Sequence, residues 1–209
     1  MSADGPVIGI LLAAGFSTRF GANKLVARLP DGSLVAARSA RALKAALPRA
    51  IAVVRPGVPE LEQALIAEGL VVLVCPQAAD GMGASLAHAV RSLSSEPVGG
   101  FVVALADMPF IAPASIRAVA ARVAQARRPL APVFKGERGH PVGLPTLYRD
   151  ELSALLADQG ARDIIRRDGI DAIEVDDPGV VRDIDVPADL PGALQDAGAS
   201  TSPGVTVGR

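Results

Sequence analysis

Val7-Ile-Gly-Ile-Leu-Leu-Ala-Ala-Gly-Phe-Ser-Thr-Arg-Phe-Gly-Ala-Asn-Lys-Leu25 changes character halfway along its length. Val7–Leu12 is short and almost wholly apolar, the pattern of a strand buried on both faces. From Ala13 the side chains shrink, and the cations Arg19 and Lys24 follow in a glycine-containing loop. Small residues at Ala13, Ala14 and Gly15 let backbone N–H groups approach a nucleotide closely. Arg19 offers phosphate oxygens a planar fork, and Lys24 a mobile point charge. A strand opening into such a loop predicts an open α/β sheet, in which ligands sit at the carboxyl ends of the strands. Residue types alone leave two readings open, a phosphate-binding loop or a surface loop with incidental cations. The Gly-x-x-x-x-Gly-Lys-Ser/Thr loop does not fit, because Ala22 and Asn23 separate Gly21 from Lys24, and Gly-x-Gly-x-x-Gly is absent.

Outward from this stretch, short β-branched runs alternate with helical ones. Strands are predicted at Val7–Leu12, Ala50–Val54, Leu70–Val74, Phe101–Leu105 and Leu130–Phe134. Helices are predicted at Val35–Leu47, Glu60–Glu68, Ala84–Leu93 and Pro113–Arg127, the last with proline where a missing N–H costs least. Such alternation implies a mostly parallel sheet covered by helices on both faces, a three-layer α/β/α domain. After Phe134 the alternation loosens. Lys135–Gly143 reads as a loop, Thr146–Leu156 and Ala161–Arg167 as helices, and Ile173–Val175 and Val181–Ile184 as short strands that suit antiparallel edges. Pro187–Leu194 reads as a last helix. Pro-Asp-Gly within Arg28–Leu34 signals a turn able to join two short strands. One domain over residues 1–195 is expected, with a Gly/Ser/Thr/Pro-rich tail, 196–209, expected to be disordered.

Composition limits the function. The chain has 209 residues, half of them apolar, and a formal net charge of −1. That balance suggests neither a nucleic-acid surface nor a membrane binder. The apolar run at Val7–Ala14 is too short to span a bilayer and has no basic flank, so a cytoplasmic protein is expected. The one cysteine, Cys75, sits in a strand-like context and reads as a core thiol.

Leu-Ala-Ala-Gly-x-Ser-x-Arg-Phe-Gly-x-x-Lys-Leu resembles the signature of MobA-like nucleotidyltransferases, which join a nucleoside monophosphate from an NTP to a phosphorylated acceptor. The resemblance runs from about Ile8 to Leu190. It implies a Rossmann-like nucleotidyltransferase fold and a loop that wraps the triphosphate. By that resemblance Leu12, Ala13, Ala14, Gly15, Arg19 and Lys24 bind nucleotide, with Arg19 and Lys24 stabilising the reacting phosphate. Phe16 stands where many members carry a polar or basic residue.

Four later segments extend the resemblance. In Gly81-Met-Gly-Ala-Ser-Leu86, Ser85 lies near a helix start, where its hydroxyl can cap the helix or reach a base. The segment is similar to one beside the base in the molybdenum-cofactor cytidylyltransferase branch, so Gly81 and Ser85 join the nucleotide-binding set. In Leu105-Ala-Asp-Met-Pro109, Asp107 ends a strand. A carboxylate there suits Mg²⁺ or an Asx-turn equally well, and the resemblance makes it the catalytic metal ligand. Val181-Arg-Asp-Ile-Asp-Val-Pro-Ala-Asp-Leu190 resembles the family's closing motif. The resemblance makes Asp185 the second metal ligand. Alternation puts Asp183 on the same side, and Asp189 reads as a helix-start residue. Arg138-Gly-His-Pro141 is similar to a stretch near that branch's acceptor pocket, which implies that Arg138 and His140 bind acceptor. Arg162, in Gly160-Ala-Arg-Asp163, suits either an acceptor anion or a solvated helix start. His88 reads as structural.

Together these imply a Mg²⁺-dependent enzyme that transfers CMP from CTP to molybdopterin, releases pyrophosphate, and transiently contacts a molybdoenzyme or its chaperone. Three readings stay beside it. A guanylyltransferase of the same family would use GTP. A related-fold glycosyltransferase would exploit the Asp183/Asp185 pair. A non-catalytic protein would bind NTP without turnover.

Overall fold

The computed structural model describes residues 5–17, 20–156 and 161–191. The first strand, β1 (Val7–Ala13), leads through the candidate loop to helix α1 (Val35–Ala46). Next come β2 (Ala50–Val54), α2 (Pro59–Ala67), β3 (Val71–Val74), α3 (Met82–Ser92), β4 (Gly100–Leu105), α4 (Pro113–Val123) and β5 (Leu130–Phe134). These nine elements follow the predicted alternation, with ends shifted by a few residues. The chain continues through β6 (Glu137–Arg138), β7 (Val142–Leu144), α5 (Arg149–Ser153), α6 (Arg162–Asp168) and β8 (Asp171–Glu174).

The sheet runs β3-β2-β1-β4-β7-β5-β6, with β8 on the other side of β5. β1, β2, β3 and β4 pair in parallel. β7 is antiparallel to both β4 and β5. This is the mixed, mostly parallel sheet of a Rossmann-like α/β/α domain.

Successive side chains of a strand point to opposite faces, and here each set fills its own core. Leu11 and Ala13 of β1 pack with Val102 and Ala104 of β4 under α1, α2 and α4, through Leu43, Leu61, Leu65, Ile116 and Val119. Ile8, Ile10 and Leu12 pack with Phe101 and Val103 under α3, α5 and α6, through Leu86, Val90, Leu152 and Ile164. Each such side chain, fully buried, contributes about 1.5–3 kcal/mol. Cys75 is buried beside this second core, as a core thiol should be.

The second half departs from expectation in five places. Lys135–Gly143 is not a plain loop, because β6 turns back on β5 and β7 inserts between β4 and β5. Thr146–Tyr148 is a 3-10 turn preceding the short α5. β8 lies parallel to β5 rather than antiparallel, since α6 makes the crossover before it. Pro178–Val181 is a 3-10 turn, and Arg182–Val186 continues without a sheet partner. Pro187–Asp189 is again a 3-10 turn, closed at Leu190, and residues 192–194 of the predicted helix lie outside the described residues. Arg28 and Leu34 form a single bridge rather than two strands. The tail 196–209 lies outside the described residues.

Candidate active site

The parallel strands β1 and β4 end side by side, and the Ala106 N–H donates to the Leu12 carbonyl across them at 3.1 Å. From α1, the buried Ser39 hydroxyl donates to the Ala106 carbonyl at 2.9 Å. The residue after Ala106 is Asp107, so its backbone is anchored before its side chain enters the cleft.

The loop after β1 returns Lys24 to this point. Asn23 Oδ1 accepts the Leu25 N–H at 3.2 Å and starts a 3-10 turn at Lys24–Val26. The Lys24 N–H donates to Ser17 Oγ, also at 3.2 Å. Lys24 is 9% exposed, and its Nζ stands 2.8 Å from Asp107 Oδ2 and 3.2 Å from Asp185 Oδ1. Burial disfavours the ammonium, but hydrogen bonds and charge from Asp107, then Asp185, outweigh it and raise the Lys24 pKa above its ordinary value. Asp107 Oδ1 is buried with no hydrogen-bond partner among the described residues.

Asp185 reaches the cluster from the far end of the chain. Ile184, fully buried with Leu29 and Val35, donates its N–H to the Asp107 carbonyl at 2.9 Å. Asp189 Oδ2 accepts the N–H groups of Asp185 and Val186, each at 2.8 Å. Those two bonds, Val186 first, hold the Asp189 carboxyl below the usual carboxylate range. The carboxylate thus reaches back from a helical turn to the amides before it. The helix-start reading of Asp189 captured its place but not this bond to Asp185. Asp183 is exposed and, among the described residues, makes no hydrogen bond with the cluster, so alternation did not bring both aspartates to one point.

One cavity takes in Lys24 and Asp107 of this cluster, and a second adjoins that cavity. The first, about 750 Å³, is lined by Ala14, Gly15, Lys24, Gly81, Ser85 and Asp107, among others. It also takes in Phe16, whose ring carries the Arg55 guanidinium at 4.9 Å. Ser85 lies inside α3 and is 2% exposed, while Gly81 occupies the N-cap position, so capping is excluded and the cavity wall remains. The second, about 600 Å³, has an apolar floor of Leu86, Val103, Val142 and Leu144, with Arg138, His140 and Arg162 at its polar side. Leu12, Met82 and Leu105 line both cavities. Arg19 lies outside the described residues. His88 sits within α3 and lines neither cavity.

His140 is fixed by its N–H donating to the Val180 carbonyl at 2.8 Å. A Cβ on Gly139 would run into that same carbonyl, so only glycine permits the approach. Burial pushes the His140 imidazole below its ordinary value, with Asp107 opposing and Arg138 reinforcing the shift. Its Nδ1 is buried and has no partner among the described residues. Arg162 and Met82 are the lining residues that sequence reading left undecided or overlooked. Met82 carried one usable signal, a large apolar side chain opening a helix directly after a glycine.

The MobA-like NTP transferase domain model matches residues 9–173. The chain belongs to that family. The MobA-like match spans β1 to β8 and stops short of Asp185. The purine catabolism protein PucB of Bacillus subtilis is 30% identical over 87% of this chain and 92% of its own length. The crystal structure of Rv0371c from Mycobacterium tuberculosis superposes with a TM-score of 0.79 at 24% identity, covering 91% of this chain and 98% of that one. Rv0371c has also been crystallised in complex with manganese, and that structure gives a TM-score of 0.74 at 22% identity over the same shares. Molybdopterin-guanine dinucleotide biosynthesis protein A from Archaeoglobus fulgidus shares the fold, with a TM-score of 0.65 at 18% identity over 91% of this chain and 98% of its own. As a MobA-like protein the chain is a nucleotidyltransferase that uses an NTP and a phosphorylated acceptor. Among the described residues no helix is long and apolar enough to cross a membrane.

Proposed function

We propose that this nucleotidyltransferase transfers CMP from CTP to molybdopterin and releases pyrophosphate, with Mg²⁺ as its cation. The observation that carries the reading is the pair of cavities with a common wall of Leu12, Met82 and Leu105, the first of them also lined by Lys24 and Asp107. One cavity has the small-residue lining that suits a nucleotide. The other combines an apolar floor with two guanidinium groups, which suits a flat heterocycle bearing phosphate.

The residues present fit a divalent cation. Asp107 Oδ1 is buried and unpartnered, a costly state for a carboxylate oxygen unless a cation meets it. Among the described residues no group of three or more His, Cys, Asp or Glu side chains stands ready for a metal. Two carboxylates, Asp107 and Asp185, leave the remaining positions to phosphate oxygens and water, the arrangement Mg²⁺ favours. When bound there, the cation supplies positive charge to the triphosphate. The manganese complex of Rv0371c accords with a divalent cation in this fold.

The chain's own residues do the rest. Arg138 and Arg162 hold the acceptor's anionic end, and neutral His140 offers a hydrogen bond without adding charge. The acceptor phosphate is largely ionised at neutral pH, because a phosphomonoester's second pKa is about 6, so no general base is needed. Its oxygen forms a bond to the α-phosphorus of CTP while the bond from that phosphorus to the bridging oxygen breaks. The leaving pyrophosphate takes the electron pair. Lys24 and Arg19 neutralise the phosphoryl oxygens as two polyanions approach.

The test is pyrophosphate release with Mg²⁺ and molybdopterin, comparing CTP, GTP, ATP and UTP. Release with CTP alone supports the proposal. Release with GTP alone moves the protein to guanylyl transfer. NTP binding without release from any of the four refutes the acceptor assignment.

A further inference from the structure

We propose that Asp189 is a positioning residue that holds the Asp185 carboxylate at the Lys24–Asp107 cluster by accepting the N–H groups of Asp185 and Val186. The inference rests on the reading of Asp185 as a cation ligand.

The segment carrying Asp185 has no sheet partner, so neighbouring strands do not fix its backbone. Two anchors do. On the N-terminal side Ile184 is buried and its amide is bonded to the Asp107 carbonyl. On the C-terminal side one oxygen of Asp189 gathers two successive amides at 2.8 Å each. The turn that delivers this oxygen is itself closed. The Asp189 N–H donates to the Val186 carbonyl at 3.0 Å, Pro187 restricts the φ of its first residue, and Leu190 packs beside Ile184. Asp185 therefore sits between two fixed points, Ile184 and Asp189, five residues apart.

Take away the Asp189 carboxylate and the second anchor goes. The freed amides lie on a partly exposed segment, where water replaces the lost bonds at little cost to the fold. The carboxylate of Asp185 then loses its aim, and ligand atoms must lie within tenths of an ångström of their places to bind a metal well. Groups that orient metal ligands typically cost 10–100-fold in affinity when removed. A charged acceptor makes both bonds stronger, but an amide oxygen can accept the same two N–H groups. Asn at this position therefore keeps the geometry without the charge.

The experiment measures Mn²⁺ dissociation constants by electron paramagnetic resonance on the full chain with bound CTP, for wild type, Asp189→Ala, Asp189→Asn and Asp185→Asn. CTP binding without metal is measured in parallel. The expected result is Mn²⁺ binding about 10–100-fold weaker in Asp189→Ala, wild-type-like in Asp189→Asn, and metal-free CTP binding unchanged in both. Equal weakening in Asp189→Ala and Asp189→Asn overturns the inference, because charge and not aim then accounts for the effect. Wild-type Mn²⁺ affinity in Asp189→Ala overturns it as well, provided Asp185→Asn weakens binding. Unchanged affinity in Asp185→Asn instead refutes the ligand role of Asp185 beneath it.

Discussion

Replacing Lys24 with methionine keeps most of the stem and removes the charge between two carboxylates. The contacts of 2.8 and 3.2 Å hold Asp107 Oδ2 and Asp185 Oδ1 no more than about 6 Å apart, where like charges repel by about 3 kcal/mol at an effective dielectric of about 20. The two side chains are 21% and 35% exposed, so solvent screening cuts the net effect to roughly 1–1.5 kcal/mol. On the proposed reading, Lys24 stands where Asp107 and Asp185 would hold a divalent cation. Its removal should tighten Mn²⁺ binding about tenfold, the equivalent of about 1.4 kcal/mol. Turnover should move the other way. Loss of one preorganised donor to a reacting phosphate costs about 2.7–4 kcal/mol, or roughly 10²–10³-fold in rate. Calorimetric titration of Mn²⁺ without nucleotide and a pyrophosphate-release assay read the two effects. Mn²⁺ affinity that fails to rise refutes the competition between Lys24 and the cation, and near wild-type turnover refutes its role on the phosphate.

Asp107→Ala should abolish divalent-dependent turnover across a metal titration and lower the melting temperature, because it takes from the mostly buried Lys24 ammonium its nearer carboxylate. His140 carries a lowered pKa, so its contribution to stability is complete above about pH 6.5 and declines as pH falls through that value towards the folded-state pKa. Melting curves between pH 7.5 and 5 should therefore fall less steeply for His140→Gln than for wild type. Arg162→Ala should raise the acceptor KM by about tenfold, for loss of one charge-assisted contact, and leave the NTP KM alone. Steady-state kinetics with each substrate varied in turn decides between this and a solvated role. Gly179→Ala should destabilise by at least about 1–3 kcal/mol in urea unfolding, because its Cβ would strike the Phe110 carbonyl.

The first half of the fold was legible because its strands are continuous apolar runs and its helices carry a clear apolar stripe. Ala50–Val54 and Leu130–Phe134 appear at the residues predicted. The second half was less so. β6 has two residues and β7 three, in a stretch rich in glycine and proline, and no periodicity can show in so few positions. Their existence depends on β4 and β5 offering edges, a tertiary fact. The site divides similarly. Lys24 and Asp107 could be placed in segments that follow strand ends, but their residue types left an incidental cation and an Asx-turn open, and only the family resemblance chose between the readings. That Asp185 and not Asp183 meets Lys24 depends on Ile184 finding its bond to Asp107, which no local pattern announces. Ser85 was readable as lying near a helix start, but only the position of Gly81 shows that it faces the cavity instead of capping.

Lys24 and Asp185 are separated by 161 residues, and the Ile184 bond to Asp107 and the Asp189 bonds to the amides of Asp185 and Val186 bring the second of them home. During synthesis, the loop that carries Lys24 emerges from the ribosome early, and the sheet follows while the closing motif is still unmade. A nascent chain holding Lys24 against Asp107 alone lacks the second carboxylate. The cluster of Lys24, Asp107 and Asp185 is therefore completed late in translation, by the segment that crosses back to Asp107.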